Sequence, residues 1–498
     1  MCVFALAALI LYQNCIRSDD FNSRTIAVFS STVFLSVFSK EQGIAILPVC
    51  MFLEVLHSSH CKLRNKSAVS RVLILTILTS LVILFRLYIS NFTAPKFTEL
   101  DNPAAFVKDP VLRLASYTYL WLINIRLLLL PYSLCFDYSM GCIPPITSWA
   151  DYRLLSLPLV ILLVSITPYL LHKLNSRLLT FGVVLGAMSF LPASNLLVTV
   201  GFTIAERVLY LPSVGLCVMA GAMFVQALRY YQNMDKIGTA VLVIAMTMTY
   251  QRSEEWRSEL DLYASGLKVC PQNAKIHYNL GKVLSRIGDV DAAEHNYWNA
   301  IRPTFAVAWM NLGITLMNQG KYEESLQAYR QSLRLRPASA DCLFNLGNLF
   351  QKMGQPLGAL DAWKNATRLD PAHTRALTNL LVILDELNQC DEVLEISKKI
   401  PDSTANRVAS VAFQIGTCLG KSGRFPEAER RLKTALQLNP QNAMYHANLG
   451  VLYQRWARYE LAENAYLTAL ALDDDPGPVL WNLKAVQEKL NRTRNDIG

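Results

Sequence analysis

The chain has 498 residues, 52% of them hydrophobic and 17% charged, with a net charge of +9. Residues 1–250 hold 18 Lys/Arg against 11 Asp/Glu, whereas residues 251–498 hold 29 against 27. The basic excess therefore lies between apolar segments, where it sets membrane topology, and a clustered nucleic-acid-binding face is excluded.

Crossing a bilayer as a helix takes about 20 apolar residues. The candidate segments are 1–16, 25–38, 43–56, 69–90, 113–134, 154–171, 178–200, 208–228 and 237–251. No basic region precedes the first apolar run, so it does not read as a cleaved signal peptide, and Met1 starts inside a span. The pair flanking Ser39-Lys40-Glu41-Gln42-Gly43 reads as two helices or a bent hairpin. Basic links mark the cytosolic side: Arg17/Arg24, then Lys62, Arg64, Lys66 and Arg71, then Lys173/Arg177, then Arg229/Lys236. Alternation puts Lys40-Glu41, residues 91–112, residues 137–153, Glu206-Arg207 and the second half of the chain in the lumen. Segment 113–134 would then have both ends luminal. With Asn124, Arg126 and Pro131 it is predicted to be an interfacial or re-entrant helix. Sequons at Asn91, Asn365 and Asn491 fall on the luminal side, where N-glycosylation can use them.

The eleven cysteines show no C-x-x-C pair and no zinc spacing, so no metal site is predicted. Cys135 and Cys142 share one luminal loop and are read as a disulfide or as two unpaired thiols.

From residue 252 the pattern changes. Asn-Leu-Gly recurs at Asn279, Asn311, Asn345 and Asn448, with degenerate copies at Asn379, Gln414 and Asn482. The period of 34, with small residues midway and Pro near the end of each copy, is that of tetratricopeptide (TPR) helical repeats. Trp256, Tyr263 and Pro271 fit a half-repeat over 252–271, linking a membrane domain over 1–251 to a solenoid of about six repeats over 272–490 with a C-terminal capping helix. The first step is 32, where Ala300-Ile301-Arg302-Pro303 compresses the turn. The fold class is all-α: a polytopic membrane bundle followed by a TPR solenoid. TPR arrays bind peptides or partner helices on their concave face far more often than they catalyse.

Ionisable groups beside apolar spans are expensive and point to function. Lys40 and Glu41, Arg86, Arg126, and Glu206 with Arg207 qualify. Arg86 reads first as a side chain snorkelling to the interface. Arg207 is the strongest candidate, since an arginine at a membrane boundary can clamp a phosphate bidentately. Glu206 would orient that arginine or an acceptor, or form a local ion pair with it. No dinucleotide fingerprint, P-loop, zinc-protease or serine-hydrolase pattern is present.

Phe38-Ser39-Lys40-Glu41-Gln42-Gly43-Ile44, Cys135-Phe136-Asp137-Tyr138-Ser139, Leu191-Pro192-Ala193-Ser194-Asn195, and Ala205-Glu206-Arg207-Val208-Leu209-Tyr210-Leu211-Pro212-Ser213 resemble the TMTC family of transmembrane, TPR-containing protein O-mannosyltransferases acting on cadherins. Residues 137–144 and 362–367 look most like its fourth vertebrate paralogue. The resemblance implies a GT-C-type bundle in the endoplasmic reticulum, dolichyl-phosphate mannose as donor, and no covalently bound cofactor. It implies Ser/Thr of luminal, cadherin-like domains as acceptors. Lys40, Glu41, Arg126, Glu206 and Arg207 would then serve donor binding. The family's catalytic acidic pair lies in the first luminal loop, expected upstream of Met1, so the chain reads as an N-terminally truncated form, inactive alone. Asp19-Asp20 falls in a cytosolic link and is no substitute. The competing reading is a non-catalytic, membrane-tethered TPR adaptor. A transporter is disfavoured because no inverted repeat of broken spans is evident.

Overall fold

The computed structural model describes residues 1–18, 22–58, 66–93, 95, 97–301, 305–401, 404, 406–472 and 477–495. The described residues are helical, without strands, and divide into two compact units, Met1–Ile287 and Gly288–Gly498. Asp19-Asp20, Lys62, Arg64 and the Arg302-Pro303 turn lie outside the described residues.

In the first unit, α1 (Cys2–Ser18), α2 (Ser23–Ser39), α3 (Ile46–Ser58), α4 (Lys66–Ile89), α7 (Arg177–Phe190) and α8 (Tyr210–Ala227) share one core. Tyr12, Phe29, Ile46, Leu47, Leu75 and Leu185 sit at its centre, fully buried. Within this core Glu54 on α3 is 1% exposed and Arg71 on α4 is 3% exposed. Arg71 Nε donates to Glu54 Oε1 at 2.7 Å, Tyr12 donates to the same carboxylate at 2.8 Å, and Arg71 Nη1 reaches Ser67 at 2.8 Å. Such a buried pair is tolerable because every charge has hydrogen-bonded partners. α7 and α8 touch backbone to backbone: a Cβ on Gly182 would lie 2.7 Å from Gly215 O, so only glycine permits this approach.

The remaining helices of this unit are α5 (Pro110–Leu129), α6 (Ser156–Leu174), α9 (Met234–Glu255), α10 (Glu259–Val269) and α11 (Ala274–Ile287). Among the described residues, three segments are long and apolar enough to cross a membrane: Ser67–Ile89, Tyr152–Leu174 and Tyr210–Ala227. Cys2–Ser18, Ser23–Ser39 and Arg177–Ala193 are shorter apolar helices. The nine expected segments are reduced for physical reasons. Residues 43–56 begin with a 3-10 turn, Glu41–Ala45, leaving a 13-residue helix. α5 buries Ser116, Thr118 and Asn124 against protein, and α9 carries charges at both ends. The Ser39–Gly43 link is two helices joined by a 3-10 turn, with Lys40 extended at φ −168°.

The second unit contains α12 (Val290–Ala300), α13 (Ala306–Asn318), α14 (Tyr322–Leu335), α15 (Ala340–Lys352), α16 (Pro356–Leu369), α17 (Thr374–Glu386) and α18 (Cys390–Ser397). It continues with α19 (Ala409–Lys421), α20 (Phe425–Leu438), α21 (Ala443–Arg455), α22 (Tyr459–Leu472) and the terminal α23 (Gly477–Asn495). The Asn-Leu-Gly glycine is the seat for the next helix. A Cβ on Gly313 would meet the Tyr329 ring at 2.7 Å, and one on Gly450 would meet the Tyr466 ring at 2.6 Å. Gly347 faces Trp363 and Gly416 faces Leu432 in the same way. In the degenerate copy the glycine is replaced by Leu381, fully buried, and its partner α18 is shortened to 8 residues. The boundary between units falls after α11, so the first Asn-Leu-Gly helix is grouped with the apolar bundle.

Candidate functional site

The 191–213 block is shaped by its own side chains. α7 ends in a 3-10 turn, Leu191–Ala193, and Asn195 takes a left-handed φ of +63°. Asn195 Oδ1 accepts from Asn102 Nδ2 at 2.9 Å and from Val200 N at 3.0 Å. Trp121 on α5 donates to Ser194 O at 2.9 Å. Leu-Pro-Ala-Ser-Asn therefore builds the loop. A 3-10 turn over Glu206–Val208 follows and leads into α8.

Glu206 does not orient Arg207, contrary to the reading from sequence. Its Oε1 accepts from Cys135 N at 2.7 Å and from Tyr138 Oη at 2.8 Å, and Arg252 at the end of α9 lies 3.5 Å from Oε2. Burial, reinforced by the adjacent Glu206 carboxylate, pushes the Tyr138 phenol far up, so it stays a donor. Glu206 is the anchor that holds the Cys135–Tyr138 loop to the 3-10 turn. Sequence reasoning missed Arg252 altogether, because nothing in its local pattern marks a partner 46 residues upstream.

Arg207 itself is exposed, and no carboxylate partner faces it among the described residues. Lys40 is half-buried and lies close enough to Arg207 that the guanidinium, after burial, depresses its ammonium. Two of the expected donor-binding cations, far apart in sequence, are thus brought together with their repulsion uncancelled. Glu41 pairs instead with Arg86, near the end of α4. That makes Arg86 an ion-pair partner and not merely a snorkelling side chain. Arg126 is exposed near the end of α5, and among the described residues no side-chain bond joins it to Lys40, Glu41 or Arg207.

The first unit also holds a cavity of about 900 Å³, walled by α3, α5, α6, α7 and α8. Its lining runs the length of α7, from Arg177 to Phe190, and is largely aliphatic. At about 1.5 Å per residue that wall is about 20 Å long. Phe190 and Pro212, which bracket the segment bearing Arg207, line it. Asn124 also lines it, 6% exposed, with its Oδ1 unbonded among the described residues.

The cysteines of the 131–153 loop follow neither of the two alternatives read from the sequence. Cys142 pairs with Cys270, 128 residues away, and Cys135 is a buried free thiol whose pKa burial pushes up to about 11. The bond joins the 131–153 loop to the turn between α10 and α11. Asn273 Nδ2 donates to Asp137 O at 2.9 Å and Lys275 reaches the Asp137 carboxylate at 2.7 Å. Burial alone would raise the Asp137 pKa, but Lys275 and two hydrogen bonds from Ser139 outweigh it and hold it below its ordinary 3.8. A depressed carboxylate contributes stability that is full above the unfolded value and lost as pH falls through the folded one. Acidification below about pH 4 is expected to loosen this loop. In Lys275→Met, exchange protection of residues 137–142 should be lower already at neutral pH and change less on acidification.

Of the expected glycosylation sites, Asn91 is exposed in the turn after α4, at φ +50°. Asn365 is exposed but lies inside α16, where Thr367 bonds back to Trp363 O, and not in the surface loop that an acceptor sequon favours. Asn491 is in α23; the side chains of Arg492 and Thr493 lie outside the described residues.

Residues 91–165 match the family described as Protein O-mannosyl-transferase TMTC, DUF1736, and residues 313–354 and 413–479 match tetratricopeptide repeats. A Caenorhabditis elegans protein named Protein O-mannosyl-transferase F38B6.6 is 42% identical over 524 residues, covering 98% of this chain and 74% of the relative. Homo sapiens Protein O-mannosyl-transferase TMTC4 is 43% identical over 244 residues, 47% of this chain and 33% of the relative. Drosophila melanogaster Protein O-mannosyl-transferase Tmtc3 is 32% identical over 66% of this chain and 41% of its own. Among solved structures, one from the characterisation of Pseudomonas aeruginosa pilF aligns at 20% identity with a TM-score of 0.37, over 43% of this chain and 97% of that one. With sequence similarity running along nearly its whole length to the worm relative, and the family's own segment spanning the anchored loop, the chain belongs to the TMTC family of protein O-mannosyl-transferases.

Proposed function

We propose that this chain acts in protein O-mannosylation in the endoplasmic-reticulum membrane, taking mannose from dolichyl-phosphate mannose and delivering it to Ser/Thr of luminal, cadherin-like domains. The observation that carries the reading is the convergence of Lys40 and Arg207, together with a long apolar cavity lined by Phe190 and Pro212, which flank Arg207 in sequence. A polyisoprenoid chain fits a groove of aliphatic side chains, and its phosphate fits two cations that no carboxylate among the described residues neutralises. In the reaction the acceptor hydroxyl oxygen bonds to the anomeric carbon with inversion. The bond to phosphate breaks and its electron pair leaves with the phosphate, while the hydroxyl proton passes to a carboxylate base. Arg207 and Lys40 would stabilise the charge gathering on the departing phosphate. Glu206 is not assigned as that base, since its carboxylate is already committed to Cys135, Tyr138 and Arg252.

Two disulfides support an oxidising, luminal setting: Cys142–Cys270 in the first unit and Cys390–Cys418 in the second. The solenoid would hold the acceptor. The test uses the chain in proteoliposomes with dolichyl-phosphate mannose labelled in the sugar and a recombinant cadherin repeat. Saturable donor binding and label on the repeat are expected. Donor binding without transfer would confine the chain to a donor-binding role, and no binding at all would favour the adaptor.

A further inference from the structure

Three helices of the second unit converge on one small polar cluster. Asp385 lies at the end of α17, Cys390 opens α18, and Cys418 lies near the end of α19. The Asp385 carboxylate and the two sulfurs each offer one ligand atom, and these atoms lie within 4.8 Å of one another. Asp385 Oδ1 stands 3.2 Å from Cys418 Sγ and 3.5 Å from Cys390 Sγ. Lys421, about one turn beyond Cys418, donates to the same oxygen at 2.6 Å. Both cysteines are buried, whereas the Asp385 and Lys421 side chains are partly exposed and give access to the cluster. No local spacing marks the group, because Cys390 and Cys418 stand 28 positions apart in the chain. Zinc-finger cysteine pairs have only about two to four residues between them.

The cluster sits at the irregular joint of the solenoid. There Leu381 stands where other repeats carry the seating glycine, and α18 has only 8 residues. The Cys390–Cys418 disulfide ties this short helix to α19. It serves the carboxylate poorly, since disulfide sulfurs carry no hydrogen and Asp385 faces both of them. Once the disulfide opens, two thiolates and one carboxylate carry three negative charges. Zn²⁺ and the Lys421 ammonium together carry three positive ones, so the reduced cluster with zinc is neutral. Thiolate ligands select zinc over magnesium and calcium, which take oxygen ligands. At about 2.3 Å per Zn–S bond, the sulfurs of a tetrahedral site stand about 3.8 Å apart. Cα atoms 5.1 Å apart allow that separation by rotation about the Cα–Cβ bonds.

We propose that Cys390, Cys418 and Asp385 form a zinc site in the reduced chain, which the disulfide replaces in the oxidised one. Water takes the fourth position, and Lys421 pairs with the carboxylate oxygen that zinc leaves free. A dithiol reductant breaks the S–S bond: its two electrons and two protons make two thiols, and it leaves as its own disulfide. Zinc then displaces the two thiol protons. Either state bridges α18 to α19, but only the zinc state also ties in α17. The cluster is therefore a redox-selected clasp on the irregular repeat.

The test uses the full chain in nanodiscs, reduced with a phosphine that is then removed under nitrogen, with Co²⁺ as the spectroscopic probe. The reduced chain is expected to show a thiolate-to-cobalt charge-transfer band and the visible bands of a tetrahedral site, both abolished by Zn²⁺. The oxidised chain should show neither. The double variant Cys390→Ser, Cys418→Ser should lose both, whereas Cys142→Ser with Cys270→Ser should keep them. Asp385→Asn should weaken cobalt binding at least about tenfold, the least that losing even an outer-shell partner costs. In the reduced parent chain, zinc should slow iodoacetamide labelling of Cys390 and Cys418 relative to chelator, and leave Cys142 and Cys270 unaffected. That comparison needs no variant. The proposal is overturned by a reduced chain without cobalt bands, or by bands that survive loss of Cys390 and Cys418 together. It is equally overturned by Asp385→Asn binding within about twofold of the parent, or by labelling of Cys390 and Cys418 that zinc does not slow. None of these readouts involves mannosyl transfer, so they stand apart from the transferase reading.

Discussion

Arg207→Ala should lower mannosyl transfer by about two orders of magnitude while leaving the protein folded, the scale seen when one preorganised charge-stabilising donor is removed from an active site. The side chain is exposed and bonded to no described neighbour, so its loss removes nothing from the folded chain. What it removes is the fork that would meet the phosphate as the sugar departs. Lys40 remains nearby, but an ammonium is a point charge on a flexible stem and cannot reproduce bidentate geometry. Arg207→Lys should therefore recover only part of the rate, within about tenfold of the parent enzyme. The measurement is the initial rate with donor titrated, alongside a melting curve. An undiminished rate with normal donor saturation would remove Arg207 from the phosphate site.

The second large effect concerns the 131–153 loop. The Cys142–Cys270 bond closes 128 residues, and the chain-entropy estimate for a loop of that size is about 4–5 kcal/mol. Cys142→Ser should lower the melting temperature by several degrees and expose residues 131–150 to protease. The Cys390–Cys418 bond closes only 28 residues, so Cys390→Ser should cost about 1 kcal/mol less. Unchanged melting of Cys142→Ser in oxidised material would mean that the bond contributes nothing.

Periodic features were legible in the sequence because they depend only on local spacing. The Asn-Leu-Gly ladder predicted the helix pairs, since a glycine every 34 residues is what seating Tyr329 or Tyr466 demands. Lys40 and Arg207 were legible as candidates through their cost beside apolar runs, but their proximity was not. Pairings across long separations left no local mark. Glu206 was left between orienting Arg207 or an acceptor and forming a local ion pair, and nothing local marked Tyr138, 68 residues before it, as its partner. Cys142 was read either as paired with Cys135 in the same loop or as unpaired, whereas its partner stands at the end of α10. Helix α5 was read from sequence as an interfacial or re-entrant helix; that Ser116, Thr118 and Asn124 are buried is seen only in its packing.

The buried Glu54–Arg71 pair bears on how the chain is made. α3 carries the acid and α4 the base, joined by a short connection. Released singly from a translocation channel, either helix would bring an uncompensated charge into hydrocarbon, which is strongly disfavoured. The two helices should therefore wait at the channel and partition sideways as a pre-paired hairpin, with the Tyr12 hydroxyl completing the shell.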